Sequence, residues 1–302
     1  MIKRTAEVIA HAFQVASKIG VVAKISTERF VKNRYGYTSR GHGGEVNQSR
    51  EQAEQKSNFI SHREGEKGSH LIFLHGLLGA VSNWETTQPE IAKFCKTHAL
   101  SLPILTAHRS QLKMKSLAAY TESYIRENNL GPVVLCGNSL GGHVAMRLYL
   151  AAPELVSCLI LSGASGLYEH SVDALPVRPD RKFIRQHMTR VFKQREFMSE
   201  ERVEEVYKIV EHKANVLNLI HTARSAKKDN LLLELPKIKV PTLLIWGRDD
   251  EVTTMDVAQT FHENIPNSKL VVFEECGHAP MIEYPQRFAE EVRSFLKSNS
   301  QL

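Results

Sequence analysis

From Gly68 onward the chain repeats one pattern: a short, almost wholly apolar run, then a stretch of helical period, then another apolar run. Leu71–Leu74, Val133–Cys136, Cys158–Leu161 and Thr242–Trp246 carry few polar residues, as strands covered on both faces require. Pro103–Thr106 and Lys269–Phe273 are predicted as two further strands, and one short strand is expected near Phe59–His62. Helical spacing is read over Glu90–Thr97, Leu117–Asn128, Gly142–Ala151, Met255–Asn264 and Pro285–Lys297. Such alternation implies an α/β protein with a mostly parallel sheet flanked by helices on both faces. Residues 166–239 keep helical period without a strand, in Arg181–Lys193, Glu200–Lys213 and Asn215–Ala226, and read as an inserted helical cap. The expected organisation is therefore an extension and linker over 1–57, a sheet domain over 58–165 and 240–302, and the cap between its two parts.

Charge separates the extension from the rest. The 302 residues carry a net charge of +6, and residues 1–40 hold eight Lys/Arg against two acids. That is the entire excess, so 31 basic and 31 acidic residues balance beyond position 40. A neutral body argues against nucleic acid as a partner. Apolar residues at Ile2, Ala6, Ile9, Phe13, Ala16, Ile19 and Ala23 give the extension the spacing of a basic amphipathic helix. Three readings stand for it: a helix packed on the body, a peripheral membrane or targeting segment, and a partner-binding arm. Its longest apolar run, Val8–Ser17, is too short to span a bilayer. Four dispersed cysteines without a Cys-x-x-Cys pair are expected to be reduced thiols. A cytoplasmic setting follows as the expectation, with membrane-surface association or targeting through the basic segment as the alternative.

Chemistry concentrates in three glycine-marked turns. Gly137-Asn138-Ser139-Leu140-Gly141-Gly142 lies between an apolar strand and a helix, the context of a nucleophile elbow. The turn is so tight that side chains two before and two after the serine would collide, which is why glycines stand there. A serine hydroxyl needs a base. Of fourteen histidines, His278 sits in a Gly-His-x-Pro turn at a strand's carboxyl end, the edge that carries Ser139. The orienting acid should follow another strand, where Gly247-Arg248-Asp249-Asp250-Glu251 offers two adjacent aspartates and a more distant glutamate.

These motifs, with His75-Gly76-Leu77-Leu78-Gly79 after the first apolar strand and Glu283 and Pro285 after His278, resemble the α/β-hydrolase superfamily from about Phe59 to the C-terminus. The order nucleophile, acid, base is the family's. The resemblance maps the acid onto Asp250, and it implies an oxyanion hole formed by the backbone N–H groups of Leu77 and Leu140. It further implies acyl transfer through a Ser139–His278–Asp250 triad with no metal or organic cofactor and a small ester-like molecule as substrate. A serine nucleophile argues against the haloalkane dehalogenases and epoxide hydrolases, whose nucleophile is a carboxylate. Asn138 resembles the Gly-Asn-Ser of carbon–carbon bond hydrolases, although it also suits the turn itself; those enzymes commonly place tryptophan where Ala279 stands. The expected function is thus a serine hydrolase of carboxylic esters with small to medium acyl groups. A carbon–carbon bond hydrolase of vinylogous diketo acids and a low-turnover ligand-binding receptor are the alternatives. Within the cap, Arg185, Arg190 and Arg195 are read chiefly as a solvated face, with a carboxylate substrate as the second reading.

Overall fold

A computed structural model describes residues 59–168 and 178–302. The amphipathic helix expected over 2–31, and the linker following it up to residue 57, lie outside the described residues. In chain order the first elements are β1 (Ser61–Glu64), β2 (His70–Leu74), α1 (Gln88–Ala92), β3 (Lys96–Leu100) and α2 (Met114–Glu127). They are followed by β4 (Val133–Asn138), α3 (Leu140–Ala151) and β5 (Val156–Ser162). Three helices come next, α4 (Arg181–Val191), α5 (Glu200–Val210) and α6 (Lys213–Lys228). The chain then returns through β6 (Thr242–Gly247), α7 (Met255–Asn264), β7 (Ser268–Phe273), α8 (Pro280–Glu283) and α9 (Pro285–Ser298).

The strands form one sheet in the order β1-β3-β2-β4-β5-β6-β7, parallel throughout except that β1 runs antiparallel to β3. Interior strands β4 and β6 are buried at every position, which matches their largely apolar sequence, while edge strand β7 is only partly covered. Helix α3 is buried from Leu140 to Tyr149, so it is apolar nearly all round, whereas α9 turns only Phe288, Ala289, Val292, Phe295 and Leu296 inward.

Two expectations fail at the same place. The strand predicted at Pro103–Thr106 is a loop and turn, and the third strand instead occupies Lys96–Leu100. The helix predicted over Glu90–Thr97 stops at Ala92 to make room for it. Lys96-Thr97-His98 looks unlike a buried strand, yet its polar groups have partners. Thr97 Oγ1 accepts from Gln88 Nε2 at 3.1 Å and donates to the Glu64 carbonyl at 3.0 Å. His98 bridges His70 and Tyr124, both at 2.9 Å. Apolar Leu102 and Ile104 are buried all the same, as loop residues. The short first strand begins two residues later than expected, at Ser61.

The excursion between β5 and β6 is anchored at its base. Leu231 N–H donates to the Gly166 carbonyl at 2.7 Å, so its outgoing and returning chains meet. Arg147, from the core helix α3, grips Asp229 through two nitrogens at 2.6 and 2.7 Å and reaches Glu234 at 2.7 Å. Burial raises the Asp229 carboxyl, but His143 and Arg147 together outweigh it and hold the pKa down at about 2. Helices α4 and α5 start on side-chain caps, with Asp180 accepting from Phe183 N–H at 2.7 Å and Ser199 accepting from Arg202 N–H at 3.3 Å.

Candidate active site

Parallel strands deliver their carboxyl ends to one edge, and β4, β6 and β7 each run into one of the three glycine-marked turns there. After β4 the backbone reverses so sharply that Ser139 has φ 54° and ψ −120°, a conformation costly for any residue with a side chain. Neighbouring strands impose it. Ser139 N–H donates to the Ser162 carbonyl at 3.0 Å, and the Ser139 carbonyl accepts from Gly142 and Ser165 N–H, both at 3.0 Å. The flanking glycines are sterically required: a Cβ on Gly137 would stand 2.4 Å from the Gly141 backbone, and one on Gly141 only 2.0 Å from the Leu74 carbonyl oxygen.

Beyond β6, the two aspartates separate. Asp249 lies toward solvent and pairs with Lys193 at 2.9 Å. Asp250 is 4% exposed and its carboxylate is filled by four donors. Oδ1 accepts from Val252 and Thr253 N–H at 2.8 and 2.9 Å. Oδ2 accepts from Thr253 Oγ1 at 3.0 Å and from His278 Nδ1 at 2.8 Å. Because a carboxylate only accepts, Nδ1 of His278 carries the proton and Nε2 is the unprotonated nitrogen. Thr253 is itself fixed from below, its carbonyl accepting from Trp246 Nε1 at 2.7 Å. Gly163, at φ 48°, closes the back of the pair; a Cβ there would lie 2.9 Å from His278 Nδ1 and 3.1 Å from Asp250 Oδ2.

Asn138 is more than a turn former. Its Nδ2 donates at 3.0 Å both to the Ser162 carbonyl and to the His278 carbonyl, which ties the elbow to the histidine loop. His75 orders the loop after β2. Leu102 N–H donates to His75 Nε2 at 3.0 Å, so Nδ1 bears the hydrogen and donates to the Gly76 carbonyl at 2.8 Å. Burial lowers the His75 pKa against the opposing pull of that carbonyl, which keeps the ring neutral. Gly79 N–H also reaches the Gly76 carbonyl, at 3.1 Å. With this carbonyl held from one side, the planar trans peptide turns the Leu77 N–H the opposite way. Leu140, the other residue named for its N–H, is the first residue of α3.

Ser139, His278, Asn138 and Leu77 line a single cavity of about 800 Å³. Its roof comes from α4 and α5, through Phe183, Ile184, Met188, Val206 and Ile209, so its lining is mainly apolar. One polar group in that roof was not foreseen: His187, stacked against Phe183 with ring centroids 6.2 Å apart. Burial, then the neighbouring charges of His278 and Arg190, lower its pKa, and the ring is neutral at pH 7. Of the three arginines considered for a carboxylate, Arg190 lines the cavity and lies 3.9 Å from Glu251. Arg185 is engaged by Glu200 at 2.5 and 2.8 Å, and Arg195 opens the short turn 195–197. Thr253, Gly163 and His187 belong to no motif read in the sequence; the fold brings the first two against the Asp250–His278 pair and the third into the cavity roof. Among the described residues no group of three or more His, Cys, Asp or Glu could hold a metal ion, and no helix is long and apolar enough to cross a membrane. All four cysteines are free and buried.

An elbow serine, a buried Asp–His pair and an apolar cavity at the carboxyl edge of a parallel sheet define the hydrolase class of α/β proteins. The profile of the alpha/beta hydrolase family matches residues 71–291, and the chain belongs to that family. It is similar to the 2-hydroxy-6-oxononadienedioate/2-hydroxy-6-oxononatrienedioate hydrolase of Burkholderia vietnamiensis, at 27% identity over 77% of this chain and 88% of the relative. It is also similar to the pimeloyl-[acyl-carrier protein] methyl ester esterase of Nitrosomonas europaea, at 28% identity over 73% of this chain and 93% of the relative. Among solved structures, an alpha/beta hydrolase enzyme from the metagenome of lagoon sediments at Mar Chica, Morocco, superposes with a TM-score of 0.67 at 29% identity, covering 82% of this chain and 98% of that one.

Proposed function

We propose that this hydrolase cleaves carboxylic esters of small to medium acyl groups by serine acyl transfer. The observation that carries the reading is the Asp250–His278 hydrogen bond of 2.8 Å, buried at the floor of the cavity onto which the strained Ser139 opens. Ser139 Oγ attacks the ester carbonyl as His278 Nε2 takes its proton, and Asp250 holds the ring in the tautomer that leaves Nε2 basic. Negative charge developing on the carbonyl oxygen is met by the N–H groups of Leu77 and Leu140, the first aimed by His75. His278 then returns the proton to the leaving alcohol. Water, activated by the same nitrogen, attacks the acyl-enzyme and frees Ser139. Removing one oxyanion donor costs about 3 kcal/mol of transition-state stabilisation in enzymes of this type, so the His75–Gly76 contact matters to rate as well as to fold.

A cavity of about 800 Å³ under an apolar roof has room for an acyl chain of several carbons, and the esterase relative supports ester chemistry. Carbon–carbon cleavage of a vinylogous diketo acid is the second reading, favoured by the Burkholderia relative and by Arg190 in the cavity wall. Turnover of p-nitrophenyl esters from acetate to dodecanoate, measured beside a vinylogous diketo acid, separates the two. The ester reading expects kcat/KM to peak at a short or medium chain and to exceed that for the diketo acid. A higher kcat/KM for the diketo acid would replace it with the second reading.

A further inference from the structure

Glu283 is a buried carboxylate that the chemistry above does not use. It closes the single turn of α8, is 5% exposed, and accepts three backbone N–H bonds from two segments, the His278 loop just before it and residues 193–194. Oε1 takes the Gly277 N–H at 2.7 Å. Oε2 takes the N–H groups of Lys193 and Gln194 at 2.9 and 2.8 Å. Alongside, His278 N–H donates to the Val191 carbonyl at 2.7 Å. The two backbones touch so closely that a Cβ on Gly277 would lie 2.4 Å from the Val191 oxygen. Residues 191–194 are where the roof helix α4 ends; 277 and 278 are the base and its neighbour. Only an acceptor without hydrogens satisfies donors from both sides at once. Burial pushes the Glu283 carboxyl above its ordinary range, against the pull of those three N–H groups.

We propose that Glu283 is a positioning residue that joins the end of the roof helix to the His278 loop, so that how the roof sits over a substrate sets the alignment of the base. This rests on the serine-hydrolase reading of the same cavity. Four hydrogen bonds at one junction make the roof's hinge end and the base loop a single unit. The rest of α4, carrying Phe183, His187 and Met188, extends away from that junction over the cavity. A substrate that lifts or tilts α4 therefore moves the backbone on which His278 hangs.

Two substitutions in the full chain probe opposite sides of the junction. Glu283→Gln keeps the shape but offers one oxygen; its amide nitrogen faces N–H donors on whichever side the oxygen does not serve. Gln194→Pro deletes one donor at a residue whose φ of −84° is close to proline's range, and leaves Glu283 in place. Asp249→Asn is the control, since it breaks the surface pair to Lys193 and spares the buried carboxylate. With folding verified by melting curves, kcat on the best p-nitrophenyl ester is expected to fall at least tenfold in Glu283→Gln and severalfold in Gln194→Pro. KM should change by less than threefold, and the control should stay within twofold of wild type. Hydrogen exchange supplies a readout independent of turnover: amides 277–278 should lose protection in Gln194→Pro, across some eighty residues of sequence. Unchanged exchange there overturns the junction whether or not the protein is an esterase. Faster exchange with wild-type kcat, or a loss confined to KM, overturns its role in aligning the base. A wild-type chain inert to esters and diketo acids sinks the hydrolase reading instead, and the exchange result then judges the junction by itself.

Discussion

Replacing Asp250 with asparagine changes one oxygen to an NH₂ group at the point where β6's turn meets His278. Oδ1 is fixed by two backbone donors, Val252 and Thr253 N–H, so the asparagine oxygen stays there and its amide takes the place of Oδ2. The flipped arrangement would set that amide against two N–H groups. Thr253 Oγ1 can rotate to accept, but His278 Nδ1 must now accept as well, which moves the ring proton to Nε2. A histidine protonated at Nε2 cannot take the proton of Ser139. In triads of this type the wrong tautomer lowers kcat by about 10⁴, equivalent to about 5.5 kcal/mol. Stability should change little, by about 1 kcal/mol, since every buried group keeps a partner. Asp249 pairs with Lys193 at the surface, and Asp249→Asn should hold kcat within twofold. Steady-state hydrolysis of p-nitrophenyl butyrate by both variants, with melting curves as the folding check, decides the matter. A loss below tenfold in Asp250→Asn, or equal losses in the two variants, would refute the tautomer argument.

Gly163→Ala would place a methyl 2.9 Å from His278 Nδ1 at a residue with φ 48°, so kcat should fall about a hundredfold by displacing the base, with a lowered melting point. Retained activity would show that the Asp–His pair tolerates displacement. Ser139→Gly should melt a few degrees above Ser139→Ala although neither turns over, because glycine relieves the backbone strain of about 1–3 kcal/mol at φ 54°; equal melting points would mean the elbow stores no strain there. Asp229 adds acid sensitivity. Its pKa in the folded chain is about 2 against an ordinary 3.8, so its contribution of about 2 kcal/mol is complete above pH 4 and disappears as pH falls towards 2. Urea midpoints of Asp229→Asn should accordingly vary less with pH across that window than those of wild type, and parallel curves would contradict the linkage.

What the sequence made legible follows from where each signal resides. Strands β4, β5 and β6 are covered on both faces, so burial wrote largely apolar runs into them. The serine, the histidine and the two aspartates stand out because turns this tight demand glycine beside them. Strand β3 is hidden in the sequence because Thr97 and His98 find partners on β1, β2 and α2; a polar strand satisfied by long-range bonds has no periodic trace. Pro103–Thr106 misled for the converse reason: Ile104 is buried as a loop residue, without belonging to a strand. Thr253 sits only three residues past Asp250, yet its hydroxyl matters through the histidine 25 residues on. Glu283 marks the family resemblance in sequence, whereas its partners at 193 and 194 emerge only from the fold.

The central claim is that Ser139 is a nucleophile activated by His278 on Asp250. Treating the full native chain with a fluorophosphonate and measuring intact mass, followed by peptide mapping, tests it most directly. The expected result is one phosphonyl adduct per chain on the peptide containing Ser139, absent after heat denaturation and in Ser139→Ala, and at least a hundredfold slower to form in Asp250→Asn. A native chain that acquires no adduct, or acquires it at a residue other than Ser139, would contradict the account.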